Sequence, residues 1–390
     1  MNQLSGFNLT ELAALLPQHV QVYVVGGAVR DQLMGVHSAD RDWVVVGATV
    51  DDMQRAGFTA VGADFPVFLH PQTHEEFALA RTERKQGKGY KGFTFFADPA
   101  VTLEQDLQRR DLTLNAMAMT STGQLIDPYG GLADLNAKVL RHVSPAFVED
   151  PLRVLRLARF LARYEGFSVA PETVELCQEI VRRQEMQHLV AERVFTELNK
   201  TMSAVCPSKA WAFLAQLHVW AELLPNRATA WEAMPPPVSQ TMDLTLTHPL
   251  MRWAWWLSRV NNPENILSTC ACLRTPLEVK EHAMLWFYLD QFAVDLQTQQ
   301  DIESACAHLL TQVDVYRKPN RFEQLLNAWY SVQTPSDRQA VQQRLNPLVH
   351  SVLSGEFKKG LRQFFQDNPS VPASQAAQSY RQLWLKRQLN

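Results

Sequence analysis

The sequence predicts an α/β (α+β) head with a small mixed sheet, followed by an all-α neck, body and tail. The first ~140 residues alternate short β-branched runs with amphipathic segments, whereas the remainder consists of amphipathic segments separated by proline-containing breaks. Because 390 residues exceed the usual size of a single core, several domains are expected. We place them at residues 1–140 (head), 141–205 (neck) and 206–390 (body and tail).

Apolar, β-branched runs predict strands in the head at residues 20–25, 42–46, 65–70 and 75–81. Thr49 followed by Asp52 matches a capping box that opens a helix over 51–56, and Gly57 is suited to end that helix.

The rest of the chain is predicted to be helical. A long helix begins at Glu149-Asp150-Pro151 and runs to Tyr164, since acidic residues and proline are favoured in a first turn. The proline run 235–237 predicts a break. Further helices are predicted at 172–184, 191–203, 208–218, 250–260, 278–294, 300–314, 320–332, 337–350 and 355–366.

The composition is that of an ordinary globular protein, with 46% hydrophobic and 20% charged residues. No stretch approaches the ~20 apolar residues of a membrane span, and the N-terminus lacks a signal-peptide pattern. We therefore expect a cytoplasmic protein with no membrane partner. Five scattered cysteines suit reduced thiols, and the Cys270-x-Cys272 pair favours buried structural cysteines over a metal site, because no second Cys or His pair lies nearby.

The distribution of basic residues matters more than the net charge of −3, which by itself argues weakly against a nucleic-acid partner. Basic side chains are concentrated in residues 81–91, at the adjacent Arg109 and Arg110, and along the segment 153–163. Each cluster alone is typical of a solvated face, but their concentration in the first half makes that interpretation less favoured for the set.

Two glycines follow the first predicted strand directly. Gly26 and Gly27 lie between this strand and a helix, where backbone N–H groups can bind a phosphate, and Arg30 can add a charge-assisted contact. An ordinary turn is the alternative.

A pair of carboxylates precedes the second strand. Asp40 and Asp42 point to the same side because they are two residues apart, and two such carboxylates can share hard cations such as Mg²⁺. Glu76 is the predicted third carboxylate, whereas Glu75 would point to the opposite face. The alternative is a polar strand end without a metal.

The motif Gly26-Gly27-x-x-Arg30 followed by Asp40-x-Asp42 resembles the signature of the polymerase-β-type nucleotidyltransferase superfamily, in the class of bacterial CCA-adding enzymes and poly(A) polymerases. The resemblance implies a two-metal phosphoryl transfer with Asp40 and Asp42 as metal ligands. Gly27 and Arg30 would then hold a triphosphate.

Three later segments extend the resemblance. Residues 109–116 resemble the motif whose Arg110 and Asp111 contact phosphate and ribose, and 127–131 resemble a hinge-like motif. Glu149-Asp150-x-x-Arg153 resembles the motif that reads the incoming base. Arg156 and Arg159 continue this motif along one side of the helix, for which a salt-bridged neck helix is the alternative.

Residues 61–85 and 141–160 resemble proteobacterial CCA-adding enzymes in particular. This implies template-independent addition and repair of the 3′-terminal CCA of tRNA from CTP and ATP, with release of pyrophosphate and no stable protein partner. The basic, glycine-containing stretch 84–92 would correspond to a flexible loop used in switching between the nucleotides.

The likeness fades beyond residue ~205. The chain contains no His-Asp dipeptide, so we expect no phosphohydrolase activity, and His248, His282 and His308 are predicted to be ordinary surface or core histidines. Most tryptophans of this half should lie in the core. A minority exposed near the basic residues of the last ~40 positions could contact the acceptor and T arms of tRNA; these residues are Lys358, Lys359, Arg362, Arg381, Lys386 and Arg387.

Several functions remain open at this stage. An A-adding or CC-adding tRNA nucleotidyltransferase and a poly(A) polymerase share the metal chemistry. A small-molecule nucleotidyltransferase shares the glycine turn and the acid pair, but does not need the base-reading motif or the helical body. A non-catalytic RNA-binding protein on the same scaffold is the alternative of another class.

Overall fold

The computed structural model describes residues 16–36, 41–61, 67–85, 93–224, 236–260, 262–298 and 301–389. The chain forms two compact units. Unit 1 comprises Met1–Glu197 with Lys209–Glu222, and unit 2 comprises Leu198–Ser208 with Leu223–Asn390. The functional division at residues 140 and 205 stays a prediction.

The main sheet of unit 1 is mixed, as predicted for the head. Its strands lie in the order β3-β4-β5-β2-β1-β8-β9, and the β2–β5 pair is parallel while the other neighbours are antiparallel. The strands are β1 (Gln21–Val25), β2 (Asp42–Val46), β3 (Thr59–Val61), β4 (Val67–Leu69), β5 (Glu76–Leu79), β8 (Ala118–Met119) and β9 (Leu125–Ile126).

Two smaller strand pairs accompany this sheet. β6 (Arg81–Lys85) is antiparallel to β7 (Phe93–Ala97), so the strand predicted over 75–81 ends at Leu79 and a second strand begins at Arg81. β10 (Val139–Leu140) is parallel to β11 (Ser168–Val169).

The head helices are short: α1 (Gly27–Leu33), α2 (Val50–Arg55), α3 (Leu103–Gln108) and α4 (Gly131–Ala137). The predicted capping box is confirmed, because Thr49 Oγ1 accepts from the Asp52 N–H while the Asp52 carboxylate accepts from the Thr49 N–H. The face of the sheet toward α3 buries a compact apolar cluster that includes Val25, Val44 and Leu107. This cluster fixes the ends of β1 and β2, from which the candidate site is built.

Three helices follow the head: α5 (Leu152–Arg163), α6 (Pro171–Arg182) and α7 (Ala191–Met202). The predicted start of α5 at Glu149 is wrong by three residues. Residues Pro145–Glu149 form a 3₁₀ turn and Asp150 is extended, with φ −114° and ψ 103°. Asp150 precedes Pro151, and a residue before proline is disfavoured in the α region, which explains the later start.

The remaining described helices are α8 (Pro207–Gln216), α9 (Val219–Leu223), α10 (Pro236–Thr245), α11 (Pro249–Ser258), α12 (Pro263–Leu273), α13 (Leu277–Gln297), α14 (Ile302–Gln312), α15 (Pro319–Val332), α16 (Pro335–Leu353), α17 (Glu356–Asp367) and α18 (Ala373–Leu389). The predicted helices from 208 onward are confirmed within a few residues, whereas α9, α10, α12 and α18 were not predicted. Pro236 opens α10, which agrees with the predicted break. Of the described residues, none belongs to a helix long and apolar enough to cross a membrane.

The described tryptophans of the second half lie in the core. The expectation that a minority of them are exposed is wrong, because their rings fill the space between packed helices. The buried tryptophans are Trp211, Trp220, Trp253, Trp255, Trp256, Trp286, Trp329 and Trp384. Trp231 lies outside the described residues.

The histidines behave as predicted. His248 caps α11 by accepting from the Leu250 N–H, His282 is buried with Nδ1 2.8 Å from the Glu278 carbonyl oxygen, and His308 is exposed. For the cysteine pair, Cys270 is buried but Cys272 is exposed, so the expectation of two buried thiols is wrong for Cys272. Residues two apart on a helix point to different sides.

Candidate active site

A cavity of about 530 Å³ lies in unit 1, between the ends of the head strands and α5. Nine arginines and three aspartates line it, so its field favours a highly anionic ligand. The lining residues that were predicted as site residues are Gly27, Arg30, Asp42, Arg110, Asp111, Asp150, Arg153, Arg156 and Arg159. Arg81, Arg109, Arg163 and Arg193 also line the cavity and were not predicted as site residues.

The carboxylates of the predicted metal site are only partly described. Asp40 lies outside the described residues. Asp42 opens β2, is exposed and lines the cavity. Glu76 opens β5 and is the register partner of Asp42 across the parallel pair, so both side chains stand on the same face of the sheet. Glu75 binds Arg41 instead, with Nε 2.8 Å from Oε1.

Asp42 and Glu76 offer only oxygen donors, which are the ligands that hard divalent cations such as Mg²⁺ prefer. Glu76 is exposed but does not line the cavity. The residues present therefore fit a divalent cation at the edge of the cavity, where Asp42 is the described residue that could hold it.

The glycine turn brings the backbone close to a guanidinium. Gly26 has φ +69°, a conformation that favours glycine, and its N–H donates to the Met117 carbonyl oxygen at 3.1 Å. A Cβ at position 26 would lie 2.8 Å from Nη1 of Arg110. The predicted strand, glycine turn and helix are confirmed, and the turn also makes room for Arg110.

Asp106, a residue the sequence analysis missed, orients two cavity arginines. Its carboxylate is fully buried and accepts from Arg109 Nε (3.0 Å) and Nη2 (2.8 Å) and from Arg110 Nη2 (3.2 Å). Burial alone would raise the pKa of Asp106, but the charges of Arg109 and Arg110 outweigh it and the net pKa is lowered. An acidic residue three and four positions before two arginines has the spacing of ion pairs on a helix, and this pattern could have indicated the role of Asp106 from the sequence.

Asp111 is held by donors on both oxygens. Its Oδ1 accepts from the Leu112 N–H and from Asn115 Nδ2, each at 2.9 Å. Its Oδ2 accepts from Arg156 Nε at 2.8 Å and Nη2 at 2.7 Å. Burial by itself raises the pKa of this carboxyl, but Arg156, the Asn115 hydrogen bond and Arg153 lower it well below its usual range. Asp111 is therefore ionised at neutral pH.

Arg30 is built into the wall of the cavity and is only 4% exposed. Its Nε and Nη2 lie 2.9 and 2.8 Å from Asp31 Oδ1, and Nη1 donates to Asn115 Oδ1. Asp31 also accepts from Arg163 at 3.3 Å. The guanidinium lies 5.4 Å from the ring centroid of Tyr164. Asp31 and Asn115 were not predicted as site residues.

The arginines of α5 line the cavity and are fixed by protein groups. Arg153 donates from Nη1 to the Ala146 carbonyl oxygen at 3.1 Å and from Nη2 to the Arg109 carbonyl oxygen. Arg159 Nε lies 2.7 Å from Oε2 of the buried Glu197. These arginines lie on the cavity side of α5, as predicted. Ion pairs such as Arg159 with Glu197, which were expected for a salt-bridged neck helix, are present as well.

Asp150 lies at the start of α5 on the cavity wall. Its Oδ1 accepts from the Leu152 N–H at 3.0 Å, and its Oδ2 lies 3.7 Å from Nη2 of Arg193. Arg193 thus brings a positive charge from α7 to the predicted base-reading acid.

The segment that resembles a hinge is a packed junction. Asp127 caps α4 by accepting from the Gly131 N–H at 2.7 Å and the Leu132 N–H at 2.9 Å. A Cβ at Gly131 would clash with the Thr113 carbonyl oxygen. Of the predicted 84–92 loop, residues 86–92 lie outside the described part of the chain.

The mixed sheet and the arginine-lined cavity at its edge match the class of polymerase-β-type nucleotidyltransferases. A family model described as "Poly A polymerase head domain" matches residues 22–141. A second model, "Probable RNA and SrmB- binding site of polymerase A", matches residues 166–230.

More specifically, the chain belongs to the family of CCA-adding enzymes. It is 48% identical over 309 residues to a CCA-adding enzyme of Bordetella bronchiseptica, which covers 79% of this chain and 82% of that protein. The solved structure of a CCA-adding enzyme with CTP shares the fold, with 22% identity, a TM-score of 0.69 and coverage of 97% of this chain and 91% of the other. A Thermotoga maritima CCA-adding enzyme complexed with tRNA-CCA has 21% identity, a TM-score of 0.62 and coverage of 87% and 82%.

Proposed function

We propose that this protein adds and repairs the 3′-terminal CCA of tRNA without a nucleic-acid template, using CTP and ATP and releasing pyrophosphate. The observation that carries the proposal is the cavity, which is lined by nine arginines and by Asp42 in a member of the CCA-adding family. In the reaction, the 3′-hydroxyl oxygen of tRNA bonds to the α-phosphorus while the bond to the β-phosphate breaks.

Enzymes of this superfamily use divalent metal ions, and we propose Mg²⁺ held by Asp40 and Asp42, with Glu76 as the third catalytic carboxylate. Support comes from the oxygen-only donors and from the shared register of Asp42 and Glu76. When bound, the metal supplies charge neutralisation at the triphosphate and activation of the attacking hydroxyl. Asp42 contributes a fixed negative charge at the start of a buried strand.

Different side chains would contact different parts of the nucleotide. Gly27 and Arg30 face the triphosphate, and Arg110 and Asp111 face phosphate and sugar. Arg30 supplies its charge from a fixed position, since Asp31 and Asn115 occupy much of its guanidinium.

Base recognition is assigned to the start of α5. Asp150 and Arg153 read the base, and Arg156 and Arg159 support the pocket from the next turns of the same helix. An aspartate offers acceptors and an arginine offers donors in a rigid fork, which together can match the edge of a base. The contacts of Arg153 with two carbonyl oxygens support a preformed geometry for this reading.

The binding of tRNA is assigned to residues 206–390. Lys358, Lys359 and Arg362 are exposed on or near one side of α17 and suit phosphate contacts. We place the activity in the cytoplasm, because the free cysteines suit a reducing compartment.

The test is incorporation of labelled CTP and ATP into tRNA that lacks CCA, with the wild-type protein and a series of divalent cations. Incorporation that requires a divalent cation, with Mg²⁺ sufficient, supports the proposal. No incorporation with any cation would exclude it and favour a non-catalytic RNA-binding protein.

A further inference from the structure

Asn115 lies between two charged groups on the wall of the cavity. It ends the 3₁₀ turn Thr113–Asn115, is 7% exposed and lines the cavity. Its Oδ1 accepts from Nη1 of Arg30, and its Nδ2 donates to Oδ1 of Asp111 at 2.9 Å. The two neighbours dictate the orientation of the amide, since a guanidinium only donates and a carboxylate only accepts.

These contacts form part of a longer chain of hydrogen bonds. At one end Asp31 holds Arg30, which follows the glycine turn on α1. At the other end Asp111 binds Arg156 of α5. Asn115 is the uncharged link that joins the triphosphate side of the cavity to the side assigned to the sugar.

The two oxygens of Asp111 differ in their partners. Oδ1 is held by two groups of its own segment, the Leu112 N–H and Asn115. Oδ2 is held by Arg156, whose side chain is 36% exposed. A sugar hydroxyl can therefore join or replace a solvent-accessible partner at Oδ2 while Oδ1 remains anchored.

We propose that Asn115 is a positioning residue that orients Asp111 toward the nucleotide sugar and thereby sets the preference for ribonucleotides over deoxyribonucleotides. The inference rests on the proposed function, in which Asp111 faces the ribose. Without the Asn115 amide, Oδ1 keeps one donor and Nη1 of Arg30 loses its acceptor. Asp111 then loses the fixed orientation that a hydrogen bond from the 2′-hydroxyl requires.

The experiment compares kcat/KM for CTP and dCTP on tRNA lacking CCA, in wild type and two variants. Asn115→Leu keeps the approximate shape of the side chain and removes both hydrogen bonds. Asn115→Asp keeps the acceptor for Arg30 but places a second carboxylate against Asp111. In both, kcat/KM for CTP falls about tenfold more than for dCTP, because only the ribonucleotide loses a hydrogen bond to a charged group.

If Asn115 had only a structural role, kcat/KM would fall equally for CTP and for dCTP. An unchanged ratio of kcat/KM for CTP to kcat/KM for dCTP in the folded variants would therefore overturn the inference. Thr49→Ala is the control, since it removes the capping box of α2, outside the cavity lining, and leaves the ratio unchanged. If circular dichroism shows that the Leu and Asp variants are unfolded, Asn115→Ser decides by the same ratio. Wild type that incorporates neither CTP nor ATP would overturn the proposed function itself, whereas active wild type with an unchanged ratio overturns only the role of Asn115.

Discussion

The carboxylates in and around the site differ in solvent exposure and in pairing with arginines, and these differences determine the role that each can have. Asp42 is exposed at the start of β2 and lines the cavity. Asp106 and Asp111 are buried and neutralised by arginines. An exposed carboxylate is available to a metal ion, whereas a buried and paired one positions its partners.

Replacing Asp42 by alanine should remove activity without unfolding the protein. We expect nucleotide incorporation to fall about 10³-fold or more, because several kcal/mol of transition-state stabilisation depend on metal alignment. Steady-state incorporation and a thermal melt measure the two effects. Asp51→Ala, which removes a carboxylate from the first turn of α2, should keep normal turnover. Near-normal turnover in Asp42→Ala would contradict the assignment.

The lowered pKa of Asp106 predicts a specific acid sensitivity. Its ionised form is favoured in the folded state, so its contribution to stability is complete above the ordinary pKa of an aspartate and is lost as the pH falls below it. Between pH 5 and pH 3, wild type should lose up to about 1 kcal/mol of unfolding free energy beyond the loss in Asp106→Asn. Urea unfolding at both pH values measures this, and equal losses would show that Asp106 does not carry the effect.

Helices and strands were predicted more fully than contacts between them. Strand β2 and the capping box of α2 follow from local patterns that the structure confirms. The start of α5 was misplaced, because the extended Asp150 depends on the following proline and the preceding 3₁₀ turn together. The contact of Arg30 with Asn115 joins residues 85 apart, and that of Asp31 with Arg163 joins residues 132 apart. No local pattern encodes such pairs, so the residues that orient the predicted arginines were missed.

The junction at α4 depends on a glycine. In Gly131→Ala the new Cβ would clash with the Thr113 carbonyl oxygen, which is backbone and cannot move without shifting the 3₁₀ turn beside Asp111. We expect a loss of about 2–3 kcal/mol in unfolding free energy. In Gly123→Ala, where φ is +83° but no atom lies within 4 Å, the loss should be about 1 kcal/mol. Urea unfolding of both variants gives the comparison, and equal losses would contradict it.

Over the whole molecule, charge is distributed unevenly in spite of a net charge of −3. The cavity of unit 1 concentrates nine arginines, and unit 2 exposes basic residues on α17. The net charge was therefore a poor guide to the partner, whereas the clusters of basic residues in the sequence were a good guide to the cavity. The positions of the individual arginines within the cavity depend on the fold and could not be predicted from these clusters.

Charge reversal on α17 tests the assignment of tRNA binding to residues 206–390. Changing Lys358, Lys359 and Arg362 to glutamate should weaken tRNA binding and reduce the slope of log Kd against log salt by about 3, roughly 1 for each phosphate that a basic side chain no longer neutralises. Filter binding at several salt concentrations measures the slope. Reversal of the exposed Arg55 at the end of α2, outside the cavity lining, should leave the slope unchanged. An unchanged slope in the α17 variant would remove these residues from the tRNA interface.

The most direct test of the central claim is the sequence of nucleotides that the purified protein adds to tRNA transcripts ending before CCA, in CC, or in complete CCA. Each transcript is incubated with Mg²⁺ and with CTP and ATP separately and together, and the products are resolved to single nucleotides. We predict the addition of two C and one A to the first transcript, one A to the second and none to the third. Addition of A alone, of CC alone or of a long A tail would contradict CCA addition while leaving the nucleotidyltransferase chemistry in place.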